Sequence, residues 1–496
     1  MIYSFSPFGY EGALVSIEVD LRRGVPMFDI VGLPDGAVSE TRERVKASII
    51  NSKLKFPHER ILVSLSPADL KKEGSGFDLP VALGVLSQMY DYECGKQVLV
   101  MGELELSGKV RSVKGVGAAL ATASSCGIKY AIVPRDENLE VPPGIKVRMV
   151  DSLEQALCAL ADLKADSTGQ FKEGAVKKYE FKVEFCDDYE NSFDSVPQNL
   201  RFALAVAAAG HHNILAVGSP GCGKSLGMHH LPLLTPNLTG SESETVNRIW
   251  SLAGLPRHDN TRPFRMPHQT ASLEGICGGG YACRPGEVSL AHNGILFLDE
   301  AAEFRSAVLQ MLRCPIESGT ITLSRAGRST TYPAHFQLAM ATNPCPCGNY
   351  GSKTKICLCS AKSVEQYWNK FSAPLLDRVQ IRCSVDIGDE KSFPDYNLEE
   401  ARKHIKLAWE RQYARQGKLN QDLAPNEIEE HIKLSEEARQ VLDSETIRNN
   451  FSPRAVSDCV KLAQTLCDMH FNDTTVVMVE EMRMACELRK TGPKFF

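Results

Sequence analysis

No stretch of this chain is long and apolar enough to span a bilayer. The opening residues, Met1-Ile2-Tyr3-Ser4-Phe5-Ser6, lack the basic region and apolar core of an export signal. A cytoplasmic location without membrane contact is therefore expected. Aromatic residues are scarce, at 7%. Neither sign of charge dominates: 56 Lys and Arg face 61 Asp and Glu, a formal net charge of −5. That balance excludes binding to nucleic acid through overall charge, so any such contact must be local. What is present is length: 496 residues, 43% of them hydrophobic, suit roughly two to four domains with cores of their own. The 16 cysteines, without an export signal, are expected as thiols or metal ligands rather than disulfides.

The chain is organised around Gly218-Ser219-Pro220-Gly221-Cys222-Gly223-Lys224-Ser225. This fits the phosphate-loop spacing G-x-x-x-x-G-K-[ST], with an apolar strand, Ile214–Val217, before it and a helix start after it. Glycines let successive N–H groups turn inward around phosphate oxygens. Lys224 adds a point charge for the β and γ phosphates of ATP, and Ser225 offers a hydroxyl to Mg²⁺. A second apolar strand, Ile295–Leu298, ends in Asp299 and Glu300. Asp299 is expected to hold Mg²⁺ and Glu300 to orient the attacking water. Lying 74 residues after Ser225, this pair points to an additional-strand P-loop ATPase of the AAA+ type. A third strand, Phe336–Thr342, ends in Asn343, which is similar in position to the γ-phosphate sensor of AAA+ proteins, and that likeness implies that its amide bridges the γ-phosphate and the water. Leu375-Leu376-Asp377-Arg378-Val379 resembles the arginine-finger segment of the AAA+ class, which implies that Arg378 reaches a neighbouring subunit's nucleotide. The alternative is a surface ion pair with Asp377. Ser452-Pro453 starts a helix with a cap and a first-turn proline, putting Arg454 where it can point at the phosphates.

Residues 1–165 alternate strand and helix patterns: strands at Ala13–Val19, Phe28–Val31, Ile61–Leu65, Val98–Leu104 and Tyr130–Pro134, helices at Val38–Ile50 and Leu79–Leu86. The stretches Gly102–Val110 and Gly127–Pro134 resemble the proteolytic domain of Lon-type proteases. In that resemblance the catalytic serine falls on Gly76 and the lysine on Gly117 or Ala119, and a slip of one residue brings in Ser75 or Lys114 but not both. A nucleophile without its base is weak, so a non-proteolytic domain is expected. Residues 166–197 read as a linker, 198–388 as the ATPase domain and 389–496 as a helical lid. The fold class is α/β: a Lon-like α/β domain, a central AAA+ parallel sheet and a C-terminal helical lid.

The runs Arg262–Thr270, Gly278–Gly280, Arg284–Gly294, Pro333–Phe336 and Asn343–Gly348 together resemble the YifB/ComM family of magnesium-chelatase-like AAA+ ATPases, over essentially the whole chain. The resemblance implies a homo-hexameric ring and, for ComM, an ATP-driven helicase promoting branch migration while transforming DNA is integrated. Ser195–Arg201 departs from the family by lacking a usual glycine, and Cys222 and Ser225 stand where relatives commonly carry serine and threonine. A different class remains open, a chelatase-like remodelling ATPase acting on a protein or metal-insertion partner.

Thr320–Tyr332 reads as a hairpin with Gly327 at its tip. Arg325 and Arg328 flank that tip and can grip phosphates of single-stranded or branched DNA without reading sequence; an ordinary solvated hairpin is the alternative. The hairpin is similar to one that ring ATPases of this clade project into their pore, and Gly278-Gly279-Gly280-Tyr281 reads as a second mobile loop there, with Tyr281 able to stack on a base, or as a plain turn. Cys345, Cys347, Cys357 and Cys359 can close a tetrahedral Zn²⁺ site, with free thiols as the alternative. Cys94, Cys126, Cys158 and Cys467 are expected in the core.

Overall fold

The computed structural model describes residues 1–32, 36–67, 70, 72, 75–92, 95–137, 139–174, 181–186, 193–255, 257, 259–325, 328–351, 355–385, 393–470 and 475–490. Its centre is a five-stranded sheet. From one edge to the other the strands run Phe264–Arg265, Ile295–Leu298, Gln337–Thr342, Ile214–Val217 and Ile381–Ser384. All neighbours are parallel. Ile214–Val217, Ile295–Leu298 and Gln337–Thr342 are buried at every residue. They are almost wholly apolar instead of alternating because helices and the N-terminal region cover both faces. The strand that ends at Asn343 thus lies between the phosphate-loop strand and the one that ends at Asp299. Three motifs far apart in sequence leave the sheet side by side at its C-terminal edge, where ligands of open α/β sheets bind.

The N-terminal part is a second α/β layer, an eight-stranded mixed sheet. Ile2–Ser6 lies inside it, antiparallel to Ala13–Arg22 and parallel to Val98–Val100. Strands Met27–Val31, Arg60–Ser66 and Tyr130–Pro134 and helices Gly36–Asn51 and Asp78–Met89 stand where the apolar pattern puts them. The expected Val98–Leu104 strand is broken, because Gly102 takes φ +156° between Val98–Val100 and Glu103–Leu104. Within 166–197, Lys172–Glu173 pairs with the sheet edge and Phe193 is buried. Phe5, Leu99, Val116 and Leu120 of this layer share one continuous apolar cluster with Leu215, Val217, Leu296 and Leu298 of the central sheet.

The C-terminal part is helical: Leu398–Gln416, Pro425–His431, Glu436–Asn449, Pro453–Met469 and Val479–Lys490. No described helix is long and apolar enough to cross a membrane. Cys467 is buried, but Cys126 and Cys158 are exposed, which corrects their expected place in the core. Cys126 caps the end of helix Val116–Ser125, and Cys158 lies on the outer face of Leu153–Lys164. Cys94 lies outside the described residues.

The helical part is tied to the root of the hairpin through His335, whose Nε2 lies 2.8 Å from Asp422 Oδ1. His335 also stacks on His211. Burial alone would lower the His335 pKa, but the Asp422 carboxylate reverses this and holds it above its ordinary value. Burial pushes the Asp422 carboxyl up, but His335, with His211 and Lys461, more than reverses this and holds it at about 2. Desolvation pushes the neighbouring His211, His212 and His292 down to about 3, about 4 and about 3. Their contributions to stability are complete once pH exceeds the unfolded value, near 6.5. His335 acts in the opposite sense: its contribution is complete below about 6.5 and is lost as pH rises through its higher folded pKa. Above pH 6.5 the melting temperature of the chain should therefore fall with a component absent from His335→Gln. Equal pH slopes in the two proteins over that window would remove His335 as its source.

Candidate nucleotide site

The loop Gly218–Ser225 turns where Gly221 and Gly223 take φ +80° and +90°, a left-handed backbone that a Cβ would strain. Lys224 then opens helix Lys224–His229. Its ammonium is buried and donates to the carbonyls of Gly218 at 2.7 Å and Ser219 at 2.8 Å. It also donates to Asn343 Oδ1 at 3.2 Å. The Ser225 hydroxyl donates to Asp299 Oδ1 at 3.0 Å. The same oxygen accepts the Glu300 N–H at 2.9 Å. The fold therefore brings the loop, Asp299, Glu300 and Asn343 into one place. A serine hydroxyl beside a carboxylate is a hard oxygen pair, suited to Mg²⁺ in the company of phosphate oxygens.

Glu300 is held at φ 47°, ψ 47°. A non-glycine residue there costs on the order of 1–3 kcal/mol, and such strain collects at functional sites. Here it turns the exposed Glu300 side chain away from the line of a fully buried strand.

Arg378 and Arg454 are brought together elsewhere. Both bond Glu317 of the short helix Arg313–Ser318, Arg378 through Nη2 to Oε2 and Arg454 through Nη1 to Oε1 at 3.2 Å. Arg378 also donates to the Pro374 carbonyl at 2.6 Å. Arg378 first, then Arg454, holds the Glu317 carboxyl below its ordinary pKa. The neighbouring Asp377 pairs with Arg489 at 3.0 Å instead of Arg378, and accepts from the Ser452 hydroxyl at 3.1 Å. Neither Glu317 nor Arg489 belongs to a sequence motif, and nothing in the pattern around them signals these pairings.

The four cysteines also converge: the sulfurs of Cys345, Cys347, Cys357 and Cys359 all lie within 4.8 Å of one another. The hairpin forms as expected, Thr320–Arg325 against Arg328–Pro333, with Arg325 directly opposite Arg328. Ala326 and Gly327 and the side chains of both arginines lie outside the described residues. Gly278–Gly279 pairs with Arg284–Pro285 as a small ribbon, so this stretch is more than a plain turn. In the N-terminal layer Ser75 donates to Glu103 Oε2 at 2.5 Å. Lys114 runs instead along Gly254, where an added Cβ would stand 2.8 Å from its Nζ. Gly74 lies outside the described residues.

A loop of the N-terminal layer clasps both the ribbon and the hairpin. The Gly9 N–H donates to the Ala282 carbonyl at 3.0 Å, and the Tyr10 N–H donates to Thr330 Oγ1 at 2.9 Å. The Tyr10 ring meets Tyr332 edge-on, 5.7 Å between centroids. The Arg248 guanidinium lies 4.5 Å over the Tyr10 ring and donates to the Tyr10 carbonyl at 3.1 Å and Thr122 Oγ1 at 3.2 Å. Arg248→Ala should loosen this seam by about 1–3 kcal/mol. Hydrogen exchange should quicken at residues 8–12 and at the ribbon while the five-stranded sheet keeps its protection. Unchanged exchange at both places would show that Arg248 does not hold the seam.

Comparison with known proteins matches three consecutive stretches of the chain. "Subunit ChlI of Mg-chelatase" covers residues 17–137, "Magnesium chelatase, subunit ChlI" 195–392 and "Magnesium chelatase, subunit ChlI C-terminal" 397–489. An uncharacterised protein of Mycobacterium tuberculosis is 36% identical, covering 99% of each chain. Competence protein ComM of Haemophilus influenzae is 35% identical over 95% of this chain and 93% of its own. The uncharacterised protein YifB of Escherichia coli is 35% identical over 95% and 94%. At that identity and coverage, and with the nucleotide motifs drawn to one edge of a parallel sheet, the chain belongs to the YifB/ComM family of magnesium-chelatase-like AAA+ proteins.

Proposed function

We propose that the chain is an ATP-hydrolysing motor that works in the cytoplasm as a homo-hexameric ring on single-stranded or branched DNA, in recombination or natural transformation. The observation that carries the ATPase reading is the hydrogen-bonded set Ser225–Asp299–Glu300, with Lys224 on Asn343. The DNA reading rests on the hairpin and on a relative that bears the name competence protein.

In this reading the inward N–H groups of Gly218–Ser225 cradle the phosphates of ATP, and Lys224 exchanges its loop carbonyls for phosphate oxygens. Ser225 and Asp299 would hold Mg²⁺, which would supply positive charge against the charge that develops on the phosphates. Glu300 orients the attacking water and accepts its proton. Asn343, already bonded to Lys224, bridges the γ-phosphate and that water. Arg378 and Arg454 share Glu317, so they form one cationic group. Released from Glu317, Arg378 serves the nucleotide of the adjoining subunit and Arg454 points at the phosphates from the first turn of its helix. Arg325 and Arg328, opposite one another next to the hairpin tip, grip the DNA backbone.

Glu300→Gln should bind ATP as the wild type does and turn over about 10²–10⁴-fold more slowly. Unchanged turnover would dismiss Glu300 as the base. The DNA reading predicts an ATPase rate raised by single-stranded DNA and a stimulation lost in Arg325→Ala/Arg328→Ala. Each phosphate contact removed should flatten the logarithmic salt dependence of single-strand binding by about 0.7. ATPase activity with neither DNA stimulation nor DNA binding at low salt would favour the remodelling of a protein partner.

A further inference from the structure

We propose that Cys345, Cys347, Cys357 and Cys359 bind one zinc ion, and that the resulting knot braces the phosphate loop against Asn343. The second half of this proposal rests on the nucleotide-site reading above.

The first half stands on the sulfurs. Cys345 Sγ lies 3.4 Å from Cys347 Sγ and 3.7 Å from Cys357 Sγ, and Cys347 and Cys357 are 3.6 Å apart. A tetrahedral zinc site with Zn–S bonds near 2.3 Å has S···S edges of about 3.8 Å. The observed separations approach that edge and are far from the roughly 2.0 Å of a disulfide. The Tyr350 N–H donates to Cys345 Sγ at 3.3 Å, the kind of outer hydrogen bond that orients a thiolate ligand. Ile356 and Leu358, on either side of Cys357, are 82% and 89% exposed. Cys357 and Cys359 themselves turn inward and pack, partly buried, against the apolar cluster that contains Cys345, and shared ligation of a cation would lock the four sulfurs there. Four protein sulfurs fill the coordination sphere, so the ion is structural, and the thiol protons leave to solvent as it binds.

The second half follows from what the knot touches. Asn343 is two residues from Cys345, and the Pro344 carbonyl between them accepts from Trp368 Nε1 at 3.0 Å. Gly348, directly after the first Cys pair, donates its N–H to the Cys345 carbonyl at 2.9 Å. It takes φ +76°, and a Cβ added there would stand 2.5 Å from Pro220 Cδ and 3.8 Å from Asn343 Cγ. The knot therefore presses its glycine against the phosphate loop beside Asn343. Release of the ion would free that surface and let the Lys224–Asn343 contact drift.

The experiment uses the full chain, purified without added metal and analysed for zinc and iron by mass spectrometry. One zinc per chain is expected, lost in Cys347→Ser/Cys359→Ser. Absence of zinc from the wild type, together with failure to take it up from buffered Zn²⁺, would overturn the site, as would stoichiometric iron. For the brace, binding of a fluorescent ATP analogue and the rate of hydrolysis are followed in three variants. The double Cys variant should lose at least tenfold in turnover. Gly348→Ala should keep its zinc yet weaken analogue binding several-fold, which separates the brace from general loss of fold. Lys224→Ala should lose turnover with zinc intact, which tests the nucleotide site alone. Wild-type binding and turnover in the double Cys variant and in Gly348→Ala would overturn the brace and leave the zinc site standing.

Discussion

One carboxylate oxygen joins the motifs of the candidate nucleotide site. Asp299 Oδ1 accepts from the Ser225 hydroxyl and from the Glu300 N–H. It therefore fixes the helix after the phosphate loop, the end of a buried strand and the strained residue that follows. The geometry is possible only because the sheet puts the Ile295–Leu298 strand one place removed from Ile214–Val217 and inserts Gln337–Thr342 between them. That inserted strand delivers Asn343 to Lys224. Had the strand order been different, the same residues would leave the sheet too far apart to share a phosphate.

The meeting of these motifs was legible in the sequence because phosphate binding demands particular residues at particular spacings. Gly221 and Gly223 have to adopt left-handed backbone, and Ser225 has to follow Lys224. The strands Ile295–Leu298 and Gln337–Thr342 were legible for a separate reason: complete burial on both faces removes charged residues from them and leaves few polar ones. Likewise the hairpin was visible from β-branched residues around a glycine.

What was not legible depends on side chains meeting across the fold. Glu317 lies on a six-residue helix, and its acid has no companion in the local pattern, yet it collects both Arg378 and Arg454. Sequence spacing puts Arg378 beside Asp377, but Asp377 is taken by Arg489, which is 2% exposed and comes from the last helix of the described chain. The misplacing of Cys126 and Cys158 has the same root. Apolar neighbours in sequence say that a helix is half-buried and do not say which face a given cysteine occupies.

The apolar cluster shared by Phe5, Leu120, Val217 and Leu298 bears on how this protein can be taken apart. Its boundaries along the chain and its boundaries in space do not coincide. A fragment that starts after the eight-stranded sheet would strip cover from Val217 and Leu298, directly behind the phosphate loop and Asp299. It would also leave Tyr332 without Tyr10. The N-terminal layer is thus part of the wall of the candidate nucleotide site, and a fragment freed of it is expected to be less a smaller protein than an unfinished one.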